Sequence, residues 1–259
     1  MKPLFYAETP PSPALAAHVH AHWRFEARLP PGETLDHHVW PDGCVSVFVA
    51  LQGGGARALV VGPTTEARRV PTHGGTRCRG VRLWPDAAGA VLGVPPASLR
   101  DATAPAAALL GDAAAALDEA AQGDDDAGAA VLERWIAARL RDAPPIDALV
   151  RRAVLAIVET RGAMPVARLA EHVGLSRRQL ERRFHRAVGL TPKEYARVRR
   201  VRETIALALD PVSSWSRLAA EIGFADQSHL VREVGGVTGL TPVALGERLG
   251  MIEHGDVKP

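Results

Sequence analysis

The sequence predicts an α+β protein with two domains, of which the first is rich in β-strands and the second is entirely helical. Short apolar runs separated by turn residues occupy the first third of the chain, and helical periodicity fills most of the remainder. One pattern also occurs twice, at residues 169–192 and 218–242. At 259 residues the chain is long enough for two hydrophobic cores. The predicted domains are residues 1–143 and 146–250.

The strands of the first domain are predicted between about residues 20 and 84. Three apolar runs stand out: CVSVFVAL (44–51), ALVVG (58–62) and CRGVRLW (78–84). Turn sequences such as Leu-Pro-Pro-Gly and Gly-Gly-Gly separate these runs. Because runs of this length and spacing are typical of a sandwich or a small barrel, we expect one of these two architectures.

An alanine-rich region from about residue 86 to 141 is predicted to form helices that flank the strands. Its apolar stripe consists of five residues: Val131, Trp135, Ile136, Ala138 and Leu140. The sequence Gly123-Asp124-Asp125-Asp126 interrupts this region, and Ala143-Pro144-Pro145 ends it. Because proline stops helices and stiffens connections, we expect the linker between the domains at the latter segment.

The second domain is predicted to open with a helix at residues 147–160. The apolar face of this helix has four members: Val150, Val154, Ile157 and Val158. Further along the chain, Ser176 and Gln179 have the spacing of a capping box. This spacing predicts a helix that begins at Arg177.

A long helix is predicted to join the two copies of the repeated pattern. Thr191 and Glu194 form a second capping box, with Pro192 at the first helical position. The helix extends to about Leu209, where Asp210-Pro211 stops it. It would hold the two copies at a fixed distance.

Each copy of the pattern is predicted to be a short helix, a glycine-containing turn and a second helix. The copies are LAEHVGLSRRQLERRFHRAVGLTP and LAAEIGFADQSHLVREVGGVTGLTP, the second being one residue longer. This is the shape of a helix-turn-helix unit, which places its second helix in the major groove of DNA. The sequence therefore predicts two separate DNA-reading units.

The net charge of +2 conceals a strong asymmetry along the chain. Residues 151–202 carry 14 basic and 4 acidic side chains, whereas residues 203–259 carry 4 basic and 8 acidic ones. A run of positive charge on paired helices indicates a polyanionic partner, although a solvated basic face is the simpler alternative.

In the first unit, the outward side of the second helix is predicted to carry the DNA-reading side chains. Leu180 and Phe184 face the core, which leaves Arg178 and Arg182 on the opposite side. Arginine can bind guanine with two hydrogen bonds, and a glutamate can accept one from cytosine. The predicted DNA-binding set of this unit is Arg177, Arg178, Gln179, Glu181, Arg182, His185, Arg186 and Lys193. The side chains placed for phosphates are Arg177, Arg183, Arg186 and Lys193.

The second unit is predicted to bind DNA less strongly than the first. Gln227 and Ser228 start its recognition helix; glutamine reads adenine, Val231 would contact a thymine methyl group, and Arg232 would contact guanine or phosphate. Gly235-Gly236 stand where the first unit has His185-Arg186, so side chains that could hold phosphate are missing. Two glycines also cost roughly 1 kcal/mol each in a helix, which predicts fraying or a close approach of the backbone to DNA.

These residues resemble the AraC/XylS family of bacterial transcription regulators, from about residue 150 to 248. The motifs are Gly-Leu-Ser…Leu…Arg-Arg-Phe…Gly-Leu-Thr-Pro and Gly-Phe-Ala-Asp-Gln-Ser-His-Leu…Arg…Gly-Leu-Thr-Pro. The resemblance implies two units that enter successive major grooves of double-stranded DNA, and RNA polymerase as a further partner. It places base reading on Arg178, Glu181 and Arg182, and on Gln227, Ser228, Val231 and Arg232. The departures from the family pattern are Val234, where an aromatic residue is usual, and Gly235-Gly236.

The first domain is similar to the cupin-like sensor domains of some members of that family. The similarity lies in PSPALAAHVHAHWRF (11–25), WPDGC (40–44) and GVRLWPDAAGAVLGV (80–94). It implies a cupin-like barrel with flanking helices that binds a small-molecule effector or mediates dimerisation, so that monomer and homodimer are both open. The candidate effector-binding residues are Trp23, Arg24, Trp40, Asp42, Cys44 and Trp84. Ordinary core packing of the aromatic side chains is the alternative.

Three histidines near the N-terminus raise the question of a metal site. His18, His20 and His22, with Glu26, are similar to the His-x-His…Glu arrangement of metal-binding cupins. On a strand the three would share one face, whereas on a helix they would be surface histidines. We expect no metal and no other cofactor, and keep as the alternative function a cupin-type metal-binding enzyme, or a metal or redox sensor, fused to a DNA-binding domain.

The two cysteines and the glycine-rich loop do not indicate catalysis. Cys44 and Cys78 would form a redox pair only if they lay close together with a low thiol pKa, and a buried structural thiol is the simpler interpretation of Cys44. Gly53-Gly54-Gly55 lacks the Gly-Lys-Ser/Thr of a phosphate loop, and no nucleophile elbow is present, so we expect no enzyme and no catalytic residue.

The sequence shows no sign of a membrane segment. The start, MKPLFYAETPPSP, has no apolar core of a signal peptide, and no stretch approaches 18 apolar residues. We therefore expect a cytoplasmic protein without a membrane partner.

Overall fold

The computed structural model of the chain describes residues 1–122, 124–208 and 214–255. Within them, a β-rich N-terminal domain is followed by a helical C-terminal domain, which confirms the predicted α+β class. Gly123 and Asp210-Pro211, which were expected to break helices, lie outside the described residues.

The strands of the described residues are β1 Leu4–Thr9, β2 Val19–Ala27, β3 Thr34–Val39, β4 Val45–Gln52, β5 Gly55–Val61, β6 Arg68–His73, β7 Arg77–Leu83, β8 Thr103–Pro105 and β9 Ile252–His254. Seven of them form one sheet in the order β8-β5-β4-β7-β2-β1-β9, and β3 and β6 form a separate pair. β4, β5 and β7 are the three predicted apolar runs. Val45, Val47 and Val49 alternate along β4 and are fully buried, as the period of a strand requires.

Short helices cover this sheet and end in one long helix, as the alanine-rich composition predicts. Their bounds are α1 Ala88–Leu92, α2 Ala106–Leu110, α3 Ala115–Glu119 and α4 Asp125–Leu140, with 3-10 turns at Pro96–Leu99 and Gly111–Ala114. Trp135 and Ile136 of α4 are buried as predicted. The buried face of α4 differs in part from the predicted stripe. Leu132, which was not in the stripe, is buried in this core, and Val131, Ala138 and Leu140 are only half-buried.

The second domain consists of helices, and two of them start at the predicted capping boxes. Their bounds are α5 Ala148–Glu159, α6 Val166–Val173, α7 Arg177–Val188, α8 Pro192–Leu207, α9 Trp215–Ile222, α10 Gln227–Thr238 and α11 Pro242–Gly250. Both predicted capping boxes are present: the side chains of Ser176 and Thr191 accept backbone N–H groups three residues ahead, and Gln179 and Glu194 return the interaction. α8 ends at Leu207, two residues before the predicted end.

Each helix-turn-helix unit has its own hydrophobic core, and α8 belongs to both. Tyr195 and Ala196 of α8 pack with α5, α6 and α7, whereas Val201 and Ile205 pack with α9, α10 and α11. The long helix therefore joins the units by contributing one end to each core, which fixes their relative placement.

The chain returns to the first domain after the second unit. β9, immediately after α11, pairs with β1 in parallel, with Leu4 opposite Ile252. Arg28 Nη1 also donates to Glu253 Oε2 at 3.0 Å. The edge of the N-terminal sheet is thus completed by residues that follow the C-terminal domain. Among the helices of the described residues, none combines the length and the apolar character of a membrane span.

Candidate nucleic-acid interface

The first recognition helix, α7, has one buried face and one exposed cationic face. Leu180, Phe184 and Val188 are completely buried in the core of the unit. Arg178 and Arg182 are exposed on the opposite side, because residues two positions away from a core position in a helix point away from the core. Two arginines one helical turn apart are therefore exposed to solvent on the same side of α7.

The other predicted residues at this face divide into exposed ones and ones with a partner in the protein. His185, Arg186 and Lys193 are exposed. Arg177 Nε donates to Glu181 Oε1 at 2.9 Å, one helical turn away. The carbonyl oxygen of the Gln179 side chain accepts the backbone N–H of Ser176 at 2.9 Å. Gln179 thus serves as a cap, and Glu181 holds Arg177 through one of its two carboxylate oxygens.

Arg183, predicted as a phosphate contact, pairs with a carboxylate of the protein instead. Its Nε and Nη2 atoms each donate to Asp147 at 2.8 Å. Asp147 also caps α5 through the backbone N–H groups of Leu149 and Val150. Burial by itself raises the pKa of Asp147, but the hydrogen bonds from Arg183 and Val150 outweigh it and lower that pKa. The helix on which Arg183 lies does not reveal this partner, and a phosphate contact of Arg183 stays a prediction.

The second recognition helix, α10, exposes three of its four predicted DNA-binding residues. Gln227, Ser228 and Arg232 are exposed, and Asp226 caps the helix by accepting the backbone N–H of His229. Val231 is half-buried and packs against the core of the second unit. Any contact of Val231 with a thymine methyl group would therefore use only part of its side chain.

The paired glycines of the second unit lie within a continuous helix. α10 extends from Gln227 to Thr238 through Gly235 and Gly236, so the structure shows no fraying at this point. A Cβ atom at Gly236 would lie 2.5 Å from Nη2 of Arg197, a residue of α8. The glycine therefore provides space for an arginine of the neighbouring helix.

The basic segment 151–202 is not a single cationic face. Several of its arginines form ion pairs within the protein: Arg151 with Asp86, Arg183 with Asp147, Arg197 with Glu233, and Arg202 with Glu8. Counting charges along the sequence could not reveal these partners, because each is at least 36 residues away. The cations that remain exposed are concentrated on α7 and at the start of α8.

A buried group of charges lies where the N-terminal sheet meets α8. Arg82 Nη1 donates to Glu8 Oε1 at 2.6 Å, and Arg82 Nη2 donates to the Tyr6 hydroxyl at 2.9 Å. Arg82 Nε also lies 2.5 Å from Asp42 Oδ2, and Nη2 of Arg202 lies 3.6 Å from Glu8. Arg202 is a residue of α8, so this group connects the first domain to the helix that joins the two units. No local sequence pattern indicated it.

The protonation of this group follows from its surroundings. Burial by itself raises the pKa of Asp42, but Arg82 and Arg202 outweigh it and hold that pKa below its usual value. The same competition lowers the pKa of Glu8, where Arg82 and the Tyr6 hydroxyl favour the ionised form. Burial raises the pKa of Tyr6 to about 12. The carboxylates are therefore ionised and the phenol is neutral at pH 7.

Two of the candidate effector-binding residues lie on β2 and face different partners. Trp23 stacks on Tyr6 with ring centroids 6.3 Å apart and contacts Phe48 at 5.4 Å. Arg24 is exposed and pairs with Asp125 of α4.

The other candidates lie close to the second domain. Trp40 packs against the core of the second unit, and Trp84 packs against the core of the first. The guanidinium of Arg151 lies 5.6 Å from the ring centroid of Trp84. Asp42 accepts the backbone N–H of Cys44 at 2.8 Å. A groove of about 560 Å³ between α1, α3 and α4 is lined by none of the six candidates. The effector site therefore stays a prediction.

The histidines near the N-terminus contact other side chains of the protein. His20 and His22 lie on β2, so the strand interpretation is correct for these two, whereas His18 lies in the turn before the strand. His22 contacts Glu133 at 3.0 Å, whereas His20 packs against the edge of Trp84. Across residues 1–122, 124–208 and 214–255, no group of three or more His, Cys, Asp or Glu side chains is placed to hold a metal ion.

Both cysteines are free thiols. Burial raises the pKa of the Cys44 thiol and of the Cys78 thiol to about 12. Both groups are therefore protonated at pH 7, whereas a redox-sensing thiol needs a lowered pKa.

Two protein families match this chain. A family described as a helix-turn-helix domain matches residues 169–248, and a domain of unknown function (DUF6597) matches residues 7–105. No curated protein matches the chain. The helix-turn-helix match includes both recognition helices and the long helix between them.

Similar solved structures include three of bacterial proteins. An AraC-type DNA-binding domain-containing transcriptional regulator from Chromobacterium violaceum is 23% identical and covers 39% of this chain and 92% of its own, with a TM-score of 0.37. ToxT from Vibrio cholerae is 11% identical and covers 85% of this chain and 98% of its own, with a TM-score of 0.46. Wild-type ToxT from Vibrio cholerae with a bound unsaturated fatty acid is 12% identical and covers 86% and 92%, with a TM-score of 0.41.

Proposed function

We propose that this chain, which carries an AraC-type helix-turn-helix domain at residues 169–248, regulates transcription by binding one DNA duplex through both of its helix-turn-helix units. The recognition helices α7 and α10 enter adjacent major grooves about 34 Å apart along one face of the duplex. The proposal assigns the protein a binding role and no reaction.

The observation that carries the proposal is the exposed pair Arg178 and Arg182 on α7, opposite a fully buried apolar face. A guanidinium can hold the O6 and N7 atoms of guanine with two hydrogen bonds, which makes it a specific reader in the major groove. Arg186 and Lys193 flank this pair and contact phosphates, which give affinity without sequence information. On α10, the contacts to the DNA in the second groove are made by Gln227, Ser228 and Arg232.

The first domain is proposed to control the placement of the two units. Trp84 contacts the first unit, Trp40 contacts the second, and the backbone N–H of Ala67 donates to the carbonyl of Val237 in α10 at 2.7 Å. A small-molecule effector would act by binding more tightly to one arrangement of these contacts than to another. RNA polymerase and a second copy of the chain are the further partners of this proposal.

Selection from a random pool of duplex DNA tests the proposal. The full chain should enrich a motif with two conserved blocks at moderate salt. A rival interpretation, in which the basic face binds an acidic protein, predicts that no motif is enriched.

Substitution of Arg182 tests its role on a selected duplex. Arg182→Ala should weaken binding by about 1–3 kcal/mol and relax the preference at one base pair. Arg134→Ala, which removes an exposed arginine from α4 in the first domain, is the matched control and should leave affinity unchanged. An equal loss on every sequence would instead make Arg182 a phosphate contact.

A further inference from the structure

Equivalent ion pairs connect each recognition helix to the helix that opens its unit. In the first unit Asp147, the cap of α5, pairs with Arg183 of α7. In the second unit Arg197 of α8 donates through Nε to Glu233 of α10 at 2.7 Å. The partners are 36 residues apart in both cases. The polarity is reversed, so the cation lies on the recognition helix in the first unit and on the neighbouring helix in the second.

The reversed pair places the guanidinium of Arg197 directly over a glycine. A Cβ atom at Gly236 would lie 2.5 Å from Arg197 Nη2, which is closer than two such atoms can approach. Any other residue at this position would displace the arginine. In the first unit the equivalent position is occupied by Arg186, whose side chain is exposed. The position of Arg186 on α7 is therefore occupied on α10 by the guanidinium of Arg197, which comes from α8.

Gly236 lies on the outward face of α10. The buried residues Leu230, Val234 and Val237 define the opposite, inward face. At 100° per residue, Gly236 is one turn beyond Arg232 and two turns beyond Ser228, so the three positions form one stripe. The guanidinium of Arg197 thus lies at the end of the stripe that carries the candidate base-reading residues.

The guanidinium of Arg197 has N–H groups that Glu233 does not use. An arginine has five N–H groups, and Glu233 accepts from Nε alone. Among the described residues, neither Nη atom forms a hydrogen bond. The side chain of Arg197 is 39% exposed. The pair with Glu233 therefore orients the outer edge of the guanidinium while leaving it accessible.

We propose that Arg197 contacts a phosphate of the DNA in the second groove and replaces the basic side chains that Gly235-Gly236 lack. This inference rests on the proposed function. It replaces the expectation that the glycines only weaken the second unit, because Gly236 opens the space in which the cation lies. Guanidinium groups bind phosphate through two parallel N–H groups, and the Nη edge of Arg197 provides such a pair.

The test compares two substitutions that break the same ion pair, measured on a duplex selected from the random pool. Arg197→Ala removes the cation, whereas Glu233→Gln removes only its partner and leaves the cation in place. The readout is the dependence of log affinity on log salt concentration, whose slope changes by about 0.9 for each phosphate that the protein no longer neutralises. We expect Arg197→Ala to reduce the slope by about 1 and to lower affinity equally on all sequences. We expect Glu233→Gln to retain the wild-type slope.

A rescue variant separates binding from structure. Gly236→Arg in the Arg197→Ala background returns a cation to the same place from the recognition helix itself, and should restore the slope. If Arg197→Ala does not fold, Arg197→Gln, which keeps the length of the side chain without its charge, should reduce the slope in the same way. Arg134→Ala controls for the loss of one positive charge elsewhere and should not change the slope.

Two results would overturn the proposal. An unchanged slope in Arg197→Ala would exclude a phosphate contact, and equal losses in Arg197→Ala and Glu233→Gln would show that the ion pair acts only in the fold. If the wild type binds the selected duplex and Arg182→Ala weakens it while Arg197→Ala does not, only the role of Arg197 fails. If the wild type selects no duplex at all, the proposed function fails.

Discussion

Among the described residues of the second domain, some charged side chains have partners inside the protein and others do not. Arg178 and Arg182 are exposed, whereas Arg183, one position further on, is held by Asp147. The sequence predicts the first two correctly as outward residues, because helical periodicity is local. It cannot predict the partner of Arg183, because an arginine looks the same in a sequence whether it pairs with DNA or with a distant carboxylate.

The same limit applies to the first domain. Asp42 and Trp84 were grouped with the effector-binding candidates on residue type alone, yet Asp42 lies beside Arg82 and Trp84 lies against the first helix-turn-helix core. Polar and aromatic residues beside a sheet suit either a ligand or a domain contact. The fold places these two residues at the contact between the domains, and their part in effector binding stays a prediction.

The buried carboxylates predict that the protein loses stability in acid. The pKa values of Asp42 and Glu8 are lower in the folded chain than their usual values of 3.8 and 4.5. Their contribution is therefore complete above about pH 4.5 and is lost as the pH falls through the lowered folded-state values. Urea unfolding at a series of pH values should show this fall, and Asp42→Asn should make it shallower. An identical pH dependence in Asp42→Asn would contradict the assignment.

The helix α8 contacts both helix-turn-helix cores and the first domain. It opens at a predicted capping box, contributes residues to both helix-turn-helix cores, and places Arg202 against the buried charges of the first domain. Its start was predictable because a cap involves four consecutive residues. Its role as a contact with the first domain was not, because neither the sheet nor its distance from α8 can be inferred from local patterns.

The strands also differ in whether their own sequence predicts them. β4, β5 and β7 are continuous apolar runs and are predictable, whereas β3, TLDHHV, and β6, RRVPTH, are polar and were not predicted. β9 has only three residues, IEH, and exists because the edge of β1 is available to pair with it. Such elements are specified by their partners and not by their own sequence.

A glycine of the first domain should determine how closely α8 approaches. Gly43 has φ +69°, and a Cβ atom there would lie 2.6 Å from the ring of Tyr195 on α8. Gly32 also has a positive φ but has open space around it. Gly43→Ala should therefore destabilise the protein by about 1–3 kcal/mol more than Gly32→Ala in urea unfolding. Equal effects of the two substitutions would mean that α8 does not pack as described.

In the whole molecule, the first domain contacts both helix-turn-helix units and pairs with β9, the strand that follows α11. The contacts involve Trp84 at the first unit, Trp40 and Ala67 at the second, and β9 at the edge of the sheet. The relative placement of α7 and α10 is thus supported by α8 from one side and by the first domain from the other. The sequence predicts two domains, but their mutual contacts depend on residues that are far apart in the chain.

Removal of β9 should loosen this arrangement without unfolding either domain. A chain that ends at Met251 loses the backbone pairing with β1 and the buried side chain of Ile252. Amide hydrogen exchange should become faster in β1 and α11, while α7 remains protected. A chain that ends at Gly255 keeps β9 and is the control. Unchanged exchange in β1 after truncation at Met251 would show that β9 does not stabilise the sheet edge.

The most direct test of the central claim is missing-base interference along a selected duplex. If both units read one duplex, the removal of single bases should interfere with binding in two clusters, whose centres are about 10–10.5 base pairs apart on one face of the DNA. A single cluster, or two clusters at any other spacing, would contradict the claim that α7 and α10 enter adjacent major grooves.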